Sequence, residues 1–516
     1  MPFFCKKKIL YLAPLIGMLN SIIKQYLKTC IPAIQAHYKE PENMQDRVFR
    51  ELIASGVFTR FGREYGFSSI RSYEQFRRYV PIQNYDSLKG YIEQMILGKS
   101  NILWPGEVKW FAKTSGSAED RSKLIPVSKQ AMQDNHFKAG KDVLAIYAQQ
   151  RPQTKLFTGK SMILGGSKSV HHLNAYSKVG DLSAVLLSNL SPVADYFRTP
   201  KRSIALMDDW NVKLDKMVEA LSEVNVTNIS GVPSWMLVLM KRLIEYKKAD
   251  SILDIWPNLE LFAHGAVKFD PYKAQFRELI PRDDFFYLET YNASEGFFAI
   301  QDEFGRSDML LMLNYGIFYE FIPMDQLDNP SAAISLFDVK PGVNYAMLIS
   351  TNSGLWRYMI GDTVKFTSLY PFRIEITGRT KHFINAFGEE LMIENSEKAI
   401  YEACRASGAT IVDYTAAPVF MSESGTGAHE WLIEFENEPV DLQLFATVLD
   451  STLKELNSDY DAKRCGNLTL RFPIVRKLNA GTFHKWLASK GKLGGQHKVP
   501  RLSNDRKYVD EILNLA

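Results

Sequence analysis

A short loop rich in small hydroxyl residues could bind phosphate. It consists of Thr114-Ser115-Gly116-Ser117, and Lys123 follows it closely. Backbone N–H groups and hydroxyls in such a loop can cradle phosphate oxygens. The segment is not the P-loop of nucleotide-binding proteins, because it has a single glycine and a different spacing. Taken alone, it is more typical of an ordinary turn.

A second segment places a carboxylate after an apolar run that predicts a buried strand. Tyr291 and Glu295 are four residues apart in it, with Ser294 between them. A carboxylate at the carboxyl end of a strand is suited to hold Mg²⁺ between phosphates, and the aromatic ring can stack on a purine base. A turn at the end of a strand has the same composition, so both interpretations stay open for this segment alone.

The third segment runs from residue 354 to residue 362 and ends in Gly361-Asp362. The two oxygens of an aspartate can accept hydrogen bonds from both ribose hydroxyls, as in other nucleotide sites. A β-turn would use the same residue types. Each segment is weak evidence in isolation. Their fixed order along the chain, with basic residues beyond them, is stronger evidence for a nucleotide site.

The elements around these segments predict a largely parallel sheet. Val226 to Ile229 is a short β-like run, and Pro233 begins an apolar helix. Leu259 to Ala263 and Phe285 to Leu288 follow as further buried strands. Strands that alternate with helices form right-handed βαβ units, in which ligands bind beyond the carboxyl ends of the strands.

Changes of pattern divide the chain into two predicted domains. Residues 310–377 are rich in β-like runs, and we place a boundary at Gly378-Arg379. Beyond it, helix and strand patterns alternate again, including a predicted strand from Arg464 to Pro473. We therefore predict an α/β protein whose large N-terminal domain, residues 1–378, has mainly parallel sheets and a β-rich subdomain. Residues 379–516 are predicted to form a small α+β C-terminal domain.

Composition argues against several classes of protein. The 516 residues are 46% hydrophobic and 23% charged, which is ordinary for a globular chain. A formal net charge of +4 does not indicate a nucleic-acid partner, since such proteins usually carry a concentrated basic stripe. The four cysteines lie far apart and form no CxxC pair, so neither a disulfide framework nor a structural zinc site is expected.

The N-terminus combines Lys6-Lys7-Lys8 with an apolar run from Ile9 to Ile23, as a signal peptide does. No clear cleavage site follows, and the run is short for a membrane span. Its leucines and isoleucines recur at helical spacing, so we expect a first helix docked on the protein surface. We therefore predict a cytoplasmic protein without integral membrane insertion.

Four further stretches carry a resemblance that extends from about residue 40 to residue 516. They are Phe111 to Gly116, Ser230 to Trp235, Phe318 to Pro323 and Gly388 to Glu390. Together they resemble the acyl-acid amido synthetases known as the auxin-responsive promoter (Gretchen Hagen) family, in its bacterial branch. That family belongs to the adenylate-forming enzymes. The resemblance thus implies their fold, with ATP bound between a large N-terminal domain and a small mobile C-terminal domain.

The resemblance also implies roles for single residues. The residues that it implies in nucleotide binding are Thr114, Ser115, Gly116, Ser117, Tyr291, Ser294, Glu295, Arg357, Asp362, Arg379 and Lys381. Tyr291 would stack on adenine, and Asp362 would bind the ribose. Ser294, Glu295 and Lys498 would act in catalysis: Ser294 at the α-phosphate, Glu295 as a ligand of Mg²⁺, and Lys498 as the mobile-domain lysine that reaches the α-phosphate.

Two positions depart from the family pattern. Ala118 stands where the phosphate loop usually carries a second hydroxyl residue, and Met359 stands where plant members carry an arginine. Arg357 remains two residues before Met359. These changes affect the expected contacts to the phosphates of ATP and to the acceptor. They leave nucleotide binding as the expectation.

The acyl group needs a pocket near the sheet. Small residues at Gly166, Ser167 and Val232 leave room for it, and Trp235 is a further candidate for its wall. A tryptophan at this helical spacing is also typical of a core position.

The implied activity has two steps. A small carboxylic acid is activated by ATP as an acyl-adenylate with release of pyrophosphate, and the amine of an amino acid then takes the acyl group and releases AMP. An acyl-CoA ligase would use the same first step with coenzyme A as acceptor. A non-catalytic nucleotide-binding protein is a further alternative, in view of Ala118 and Met359. Sequence alone identifies neither the acid, nor the amine, nor the oligomeric state.

Overall fold

The computed structural model describes residues 17–114, 123–164, 170–207, 210–267, 269, 272–380, 383–421, 426–467, 469–490 and 499–515. Its helices are residues 17–28, Ile31–Lys39, Pro41–Gly56, Arg60–Glu64, Tyr73–Tyr79, Tyr85–Ile96, Ala131–Phe137 (a π-helix), Lys138–Gln150, Leu182–Ser188, Pro192–Phe197, Arg202–Ala205, Trp210–Leu221, Pro233–Lys247, Ile252–Ile255, Lys273–Leu279, Ile393–Ser407, Leu442–Leu456, Ser458–Arg464, Thr482–Ser489 and Lys507–Leu513.

The strands of the described residues are numbered in chain order. They are β1 Trp110–Lys113, β2 Leu124–Val127, β3 Lys160–Ile163, β4 His171–His172, β5 Lys178–Gly180, β6 Arg198–Thr199, β7 Val226–Gly231, β8 Leu261–Gly265, β9 Phe286–Ala293, β10 Gly296–Ile300, β11 Met309–Leu311, β12 Ile317–Pro323, β13 Ile334–Ser335, β14 Asn344–Thr351, β15 Tyr358–Leu369, β16 Phe372–Arg379, β17 Phe383–Ile384, β18 Leu391–Met392, β19 Thr410–Val419, β20 Ala428–Asn437 and β21 Ile474–Leu478.

Twelve of these strands form one continuous sheet, in the order β13-β12-β14-β15-β16-β11-β10-β9-β8-β7-β3-β6. Strands β6, β3, β7, β8 and β9 are parallel. From β9 to β13 every neighbouring pair is antiparallel. The predicted α/β class, with parallel strands and a β-rich region, is confirmed. The two regions are halves of a single sheet that changes type at β9.

The helix Pro233–Lys247 connects the parallel strands β7 and β8 on one face of the sheet. It begins with a proline, which needs no N–H partner in the first turn. Its apolar face includes Trp235, Met236 and Leu239, all buried in the core. The predicted helix and its apolar face are therefore confirmed. This helix brings Val232 and Trp235 to the carboxyl end of β7.

The C-terminal part contains the sheet β19-β20-β21 and the helices Ile393–Ser407 and Leu442–Leu456. The predicted strand from Arg464 to Pro473 is wrong. Its first residue ends the helix Ser458–Arg464, which begins after Asn457, whose side chain accepts backbone N–H bonds from the first turn. The strand β21 starts only after Pro473, because proline has no N–H to give to a ladder.

One hydrophobic core crosses the predicted boundary at residues 378 and 379. Phe387 and Trp431 belong to the same buried cluster as Met236 and Phe262. Polar contacts reinforce it: Ser234 Oγ donates to the carbonyl of Phe387 at 3.0 Å, and the Tyr272 hydroxyl donates to the carbonyl of Ala386. In this conformation the start of the C-terminal part thus packs on the helix that follows β7.

From residue 17 to Ile96 the chain is mainly helical. Residues 17–28 form a helix that packs on the body of the protein through the buried Asn20 and Leu27. None of the helices within the described residues has the length and apolarity that a bilayer span needs.

Candidate active site

The hairpin between β9 and β10 places Ser294 and Glu295 at the carboxyl ends of the parallel strands. Strand β9 ends at Ala293 and β10 begins at Gly296, so these two residues form its tight turn. Gly296 lies close to Ile317, and a Cβ at this position would come within 2.7 Å of that side chain. Both predicted residues therefore lie at the edge of the sheet where ligands of parallel sheets bind.

Asp362 is the centre of a buried polar cluster. It lies in β15 opposite Arg379 in β16, and the Arg379 Nε is 2.9 Å from its Oδ1. The Tyr291 hydroxyl donates to the other carboxylate oxygen at 2.7 Å. The Arg379 Nη2 also lies 3.3 Å from Oε1 of Glu390. The structure thus brings together three residues that the sequence placed in separate segments: Tyr291, Asp362 and Arg379.

Electrostatics in this cluster favour a charged guanidinium. Burial opposes the charge on Arg379, but Glu390, Asp362 and Glu295 outweigh it and hold its pKa above the usual range. Burial, and secondly the neighbouring Asp362, hold the pKa of Tyr291 well above its usual range. Tyr291 therefore stays a neutral hydrogen-bond donor that orients the carboxylate of Asp362.

Glu295 lies near the same cluster and is partly buried. Burial raises the pKa of its carboxyl to about 7, with Lys123 and Arg379 acting in the opposite direction and Asp362 adding to the rise. Burial, and secondly the charge of Glu295, hold the pKa of Tyr358 well above its usual range. A cation placed beside Glu295 would therefore stabilise the charged form of its carboxylate.

The ends of the predicted phosphate loop lie close to Glu295. Thr114 follows β1, and its N–H donates to the carbonyl of Lys123 at 3.0 Å just before β2. The Lys123 Nζ lies 6.0 Å from the centre of the Tyr85 ring. Sequence analysis noted Lys123 but assigned it no role. Its influence on Glu295 makes it a candidate phosphate neighbour.

Arg357 is held in a different set of contacts from Asp362. Its guanidinium is buried and binds Glu320 through Nε and Nη2, at 3.0 and 2.8 Å. Its Nη1 donates to the carbonyls of Arg77 and Val80 at 3.1 and 2.7 Å. These contacts tie the helix Tyr73–Tyr79 to the antiparallel half of the sheet. They assign Arg357 a positioning role in the fold.

The candidate acyl-pocket residues Val232 and Trp235 lie where the C-terminal part packs on the N-terminal part. The Lys463 Nζ is 3.7 Å from the centre of the Trp235 ring. Gly388 has a φ of +88°, and a Cβ on it would lie 3.3 Å from Lys463 Nζ and 3.5 Å from Val232. Through Glu390, two residues after Gly388, this junction is contiguous with Arg379 and Asp362.

A buried polar network lies behind Gly388, and no local sequence pattern indicates it. Two adjacent glutamates in a sequence are typical of a solvated turn, yet Glu389 is buried: its two oxygens accept from the N–H groups of Ala386 and Phe387 at 3.2 and 2.7 Å. The His429 Nε2 lies 2.7 Å from Oε1 of Glu389. No local motif marks His429 or Lys463, because their partners are about 40 or more residues distant in the chain.

Lys463→Met is expected to remove a pH dependence of stability. Burial lowers the pKa of Lys463 from the ordinary 10.5 to about 7, although Asp459, Glu389, Asp181 and Glu390 act in the opposite direction. Between these two pH values the unfolded chain binds more protons than the folded chain, so the stability of the wild type rises with pH. At pH 7 and below, the Met variant should melt a few degrees higher than the wild type, with the gap closing towards pH 10.

Melting curves across this pH range test the expectation. Lys485→Met is the matched control, because Lys485 is exposed on the helix Thr482–Ser489. If the melting temperatures of the wild type and Lys463→Met differed by the same amount at every pH, burial of the charged lysine would not reduce stability as proposed.

Several predicted site residues lie outside the described residues. They are Ser115, Gly116, Ser117, Gly166, Ser167, Lys381 and Lys498, together with the departure at Ala118. The structure does place Thr114, Tyr291, Ser294, Glu295, Asp362, Arg379, Val232 and Trp235, and it places Arg357 against Glu320.

Comparison with known proteins gives matches along most of the chain. Residues 30–285 match the GH3 family N-terminal domain, residues 310–379 its central domain and residues 394–507 its C-terminal domain. The chain is 22% identical over 545 residues to the indole-3-acetic acid-amido synthetase GH3.8 of Oryza sativa subsp. indica, which covers 89% of this chain and 87% of that protein.

Solved structures share the fold. The AtGH3.15 acyl acid amido synthetase in complex with 2,4-DB superposes with a TM-score of 0.62 at 15% identity, covering 95% of this chain and 96% of that one. A 2-hydroxyisobutyryl-CoA ligase in complex with 2-HIB-AMP and CoA gives a TM-score of 0.54 at 13% identity, with 93% of each chain covered. The fold is thus that of adenylate-forming enzymes. With all three domains matched in order, the chain belongs to the GH3 family.

Proposed function

We propose that the chain is an ATP-dependent acyl-acid amido synthetase. It activates a small carboxylic acid as an acyl-adenylate and transfers the acyl group to the amine of an amino acid. The observation that carries this proposal is the cluster of Tyr291, Glu295, Asp362 and Arg379 at the carboxyl ends of the parallel strands. The family to which the chain belongs supports it.

In the first step, a carboxylate oxygen of the acid attacks the α-phosphorus of ATP, and the bond to pyrophosphate breaks. Asp362 accepts hydrogen bonds from the ribose, while Tyr291 and Arg379 fix the orientation of its carboxylate. The adenine stack on Tyr291 stays a prediction. Ser294 and Lys498 are proposed to stabilise charge on the α-phosphate, as preorganised donors do in phosphoryl transfer.

Thr114 to Ser117 and Lys123 are proposed to face the β- and γ-phosphates. A backbone hydrogen bond of 3.0 Å joins Thr114 and Lys123, so the two ends of this loop lie next to each other. Lys123 also influences the charge on Glu295. The charge of Glu295 responds to both Asp362 and Lys123, and we therefore propose that the phosphate chain lies beside Glu295.

Mg²⁺ fits the residues present. Proteins usually bind nucleotide-associated Mg²⁺ through one or two carboxylates together with the substrate phosphates. Glu295 is such a carboxylate, because burial disfavours its charge until a cation lies beside it. Glu295 would hold the ion, and when bound the ion would supply neutralising charge for the leaving pyrophosphate.

In the second step, the amine attacks the acyl carbon, loses a proton, and the bond from that carbon to the AMP oxygen breaks. We place the acyl group at the junction of Val232 and Trp235 with Gly388, which adjoins the nucleotide cluster through Glu390. Gly166 and Ser167 remain candidates for the same pocket. The C-terminal domain, residues 379–516, is proposed to pivot near Gly378-Arg379, so that Lys498 and the acceptor can use the same space in turn.

Pyrophosphate release from Mg-ATP across a panel of aromatic, indolic and aliphatic acids tests the proposal. Amino acids and coenzyme A are supplied in separate wells, and the products are identified by mass. Wells without acid are the control for ATP hydrolysis. We expect acid-dependent release and an acyl-amino-acid mass, which would identify both substrates.

Other outcomes separate the alternatives. Acid-dependent release with only a thioester product would make the protein an acyl-CoA ligase. ATP binding without release for any acid would favour a non-catalytic nucleotide-binding protein. The bacterial branch and a cytoplasmic location stay predictions.

A further inference from the structure

The helix formed by residues 17–28 is fixed to the body of the protein through polar contacts on its inner side. The Asn20 amide donates to the carbonyl of Thr154 and accepts from the N–H of Phe157, both at 3.1 Å. The Lys24 Nζ donates to the carbonyl of Pro152 at 2.8 Å. Leu27 on the same side is buried in a hydrophobic cluster. The orientation of this helix is therefore set by the fold.

Its outer side carries an exposed apolar arc, next to the exposed polar residues Ser21 and Gln25. Met18, Leu19, Ile22 and Tyr26 are exposed to 57%, 36%, 56% and 58%. With about 100° of rotation per residue, these four side chains fall within an arc of about 100° on the side away from Asn20 and Leu27. The outward arc of a surface helix normally carries polar residues. Here it presents apolar side chains to the surroundings of the protein.

Charge is concentrated in the same region of the chain. Six of the 62 basic residues lie in the first 39 positions, and none of the 58 acidic residues does. The rest of the chain is therefore slightly acidic. Three of the six are Lys6, Lys7 and Lys8, and Lys28 lies exposed at the end of the helix beside the apolar arc.

We propose that this helix docks in the plane of an anionic lipid bilayer, with the apolar arc inserted at the interface and Lys28 on the lipid headgroups. Lys6, Lys7 and Lys8 lie outside the described residues, and in the proposal their charge adds to the attraction for anionic lipid. An apolar face combined with basic residues is the pattern of interfacial helices, whose binding adds buried apolar area to attraction for anionic lipid. Charge favours anionic lipid over a second copy of the chain as the partner of this helix. Two copies would bring together two N-terminal segments that carry lysines and no acidic residues, and these would repel each other, whereas anionic lipid headgroups would neutralise the lysines. The inference does not depend on the proposed enzymatic activity.

Cosedimentation of the full chain with vesicles tests this docking. One set is pure phosphatidylcholine, and the other has equal parts of phosphatidylcholine and phosphatidylserine. We expect sedimentation with the second set and a loss of binding as salt is raised, since salt screens charges at a surface. Replacing Lys6, Lys7 and Lys8 by Gln should weaken binding about a hundredfold at low salt.

The apolar arc is tested by the double variant Met18→Ser, Ile22→Ser, which should weaken binding about tenfold or more. The matched control is Val193→Ser, Val440→Ser, because these two valines are exposed to 70% and 94% at other places. Circular dichroism confirms that each variant is folded. If the serine variant misfolds, the Lys-to-Gln variant carries the test.

Three results would overturn the proposal. They are a wild type that does not sediment with anionic vesicles at low salt, equal binding to both vesicle sets, and a serine variant that binds as the wild type does. A concentration-dependent dimer that the serine variant abolishes, without vesicle binding, would make the arc a contact between two copies instead.

Discussion

Replacing Asp362 by Asn is expected to weaken ATP binding by about 10- to 150-fold, the equivalent of about 1.5–3 kcal/mol for a hydrogen bond to a charged group. The carboxylate is buried, accepts from the Tyr291 hydroxyl at 2.7 Å and lies 2.9 Å from the Arg379 guanidinium. The Asn side chain has the same shape but no negative charge, so hydrogen bonds from the proposed ribose hydroxyls would be weaker. It also leaves Arg379 with Glu390 as its remaining acidic partner in the cluster.

The dissociation constant for ATP, measured by calorimetry, tests this expectation. Asp308→Asn is the matched control, because Asp308 is equally buried and lies 2.6 Å from Arg306 Nε, in a group of contacts separate from the Asp362 cluster. Both variants should lower the melting temperature, but only Asp362→Asn should weaken ATP binding. Unchanged ATP binding by Asp362→Asn would refute the ribose assignment, and an equal loss in both variants would attribute the effect to stability.

The position of this cluster could be predicted from sequence in part. Strand, helix and strand alternate between residues 226 and 293, which implies a parallel sheet with its ligands at the carboxyl ends. The structure places Ser294 and Glu295 at that edge, in the turn after β9. Asp362 and Arg379 could each be identified as candidate site residues from sequence, but their contact with each other could not be predicted. Their contact depends on the register of β15 and β16, which no local pattern states.

Residues that interact over long distances in sequence escaped prediction for a physical reason. Lys463 acquires its environment only when the C-terminal part packs on Trp235. His429 acquires its environment only when β20 packs beside Glu389 and Phe387 within the C-terminal part. Glu389 looks like a solvated residue in sequence, since two adjacent glutamates usually face water. Its burial is stabilised by two backbone N–H groups and His429, which substitute for the water it loses.

Arg464 shows how tertiary contacts override a local pattern. The apolar residues after it resemble a strand, but its guanidinium binds Asp450 through Nε and Nη2 at 2.7 and 2.9 Å. Its Nη1 donates to the carbonyl of Leu470 at 2.9 Å. These contacts fix Arg464 at the end of a helix and tie it to Leu470, and the strand begins only at Ile474.

Replacing Glu295 by Gln is expected to lower the rate of acid-dependent pyrophosphate release by about 100- to 1,000-fold, as removing one preorganised charge-stabilising group does in other enzymes. Gln keeps the shape of the side chain but is a poor ligand for Mg²⁺. ATP binding measured without Mg²⁺ should be no weaker than in the wild type, because the variant removes a negative charge that repels the phosphates. Glu434→Gln is the matched control, since Glu434 is a buried carboxylate whose oxygens accept from the N–H groups of Gly481 and Phe483 in the C-terminal part.

The pH dependence makes this prediction specific to the carboxylate. The pKa of Glu295 is raised from 4.5 to about 7, so the free enzyme carries a neutral group below pH 7 and a charged one above it. The kcat/KM for ATP should therefore rise with pH through about 7 in the wild type, because it reports groups of the free enzyme. It should stay low and flat in Glu295→Gln. A flat wild-type profile would contradict the assignment.

Stability should change in the opposite direction to activity. A carboxyl whose folded pKa lies above its unfolded value costs no stability below pH 4.5, and its cost grows as the pH rises through about 7. Glu295→Gln lacks this cost, so it should melt at a higher temperature than the wild type above pH 7 and at nearly the same temperature below pH 4.5. A variant that is less active yet more stable would mark Glu295 as a residue kept for its charge. A structural role would instead make the variant less active and less stable together, at every pH.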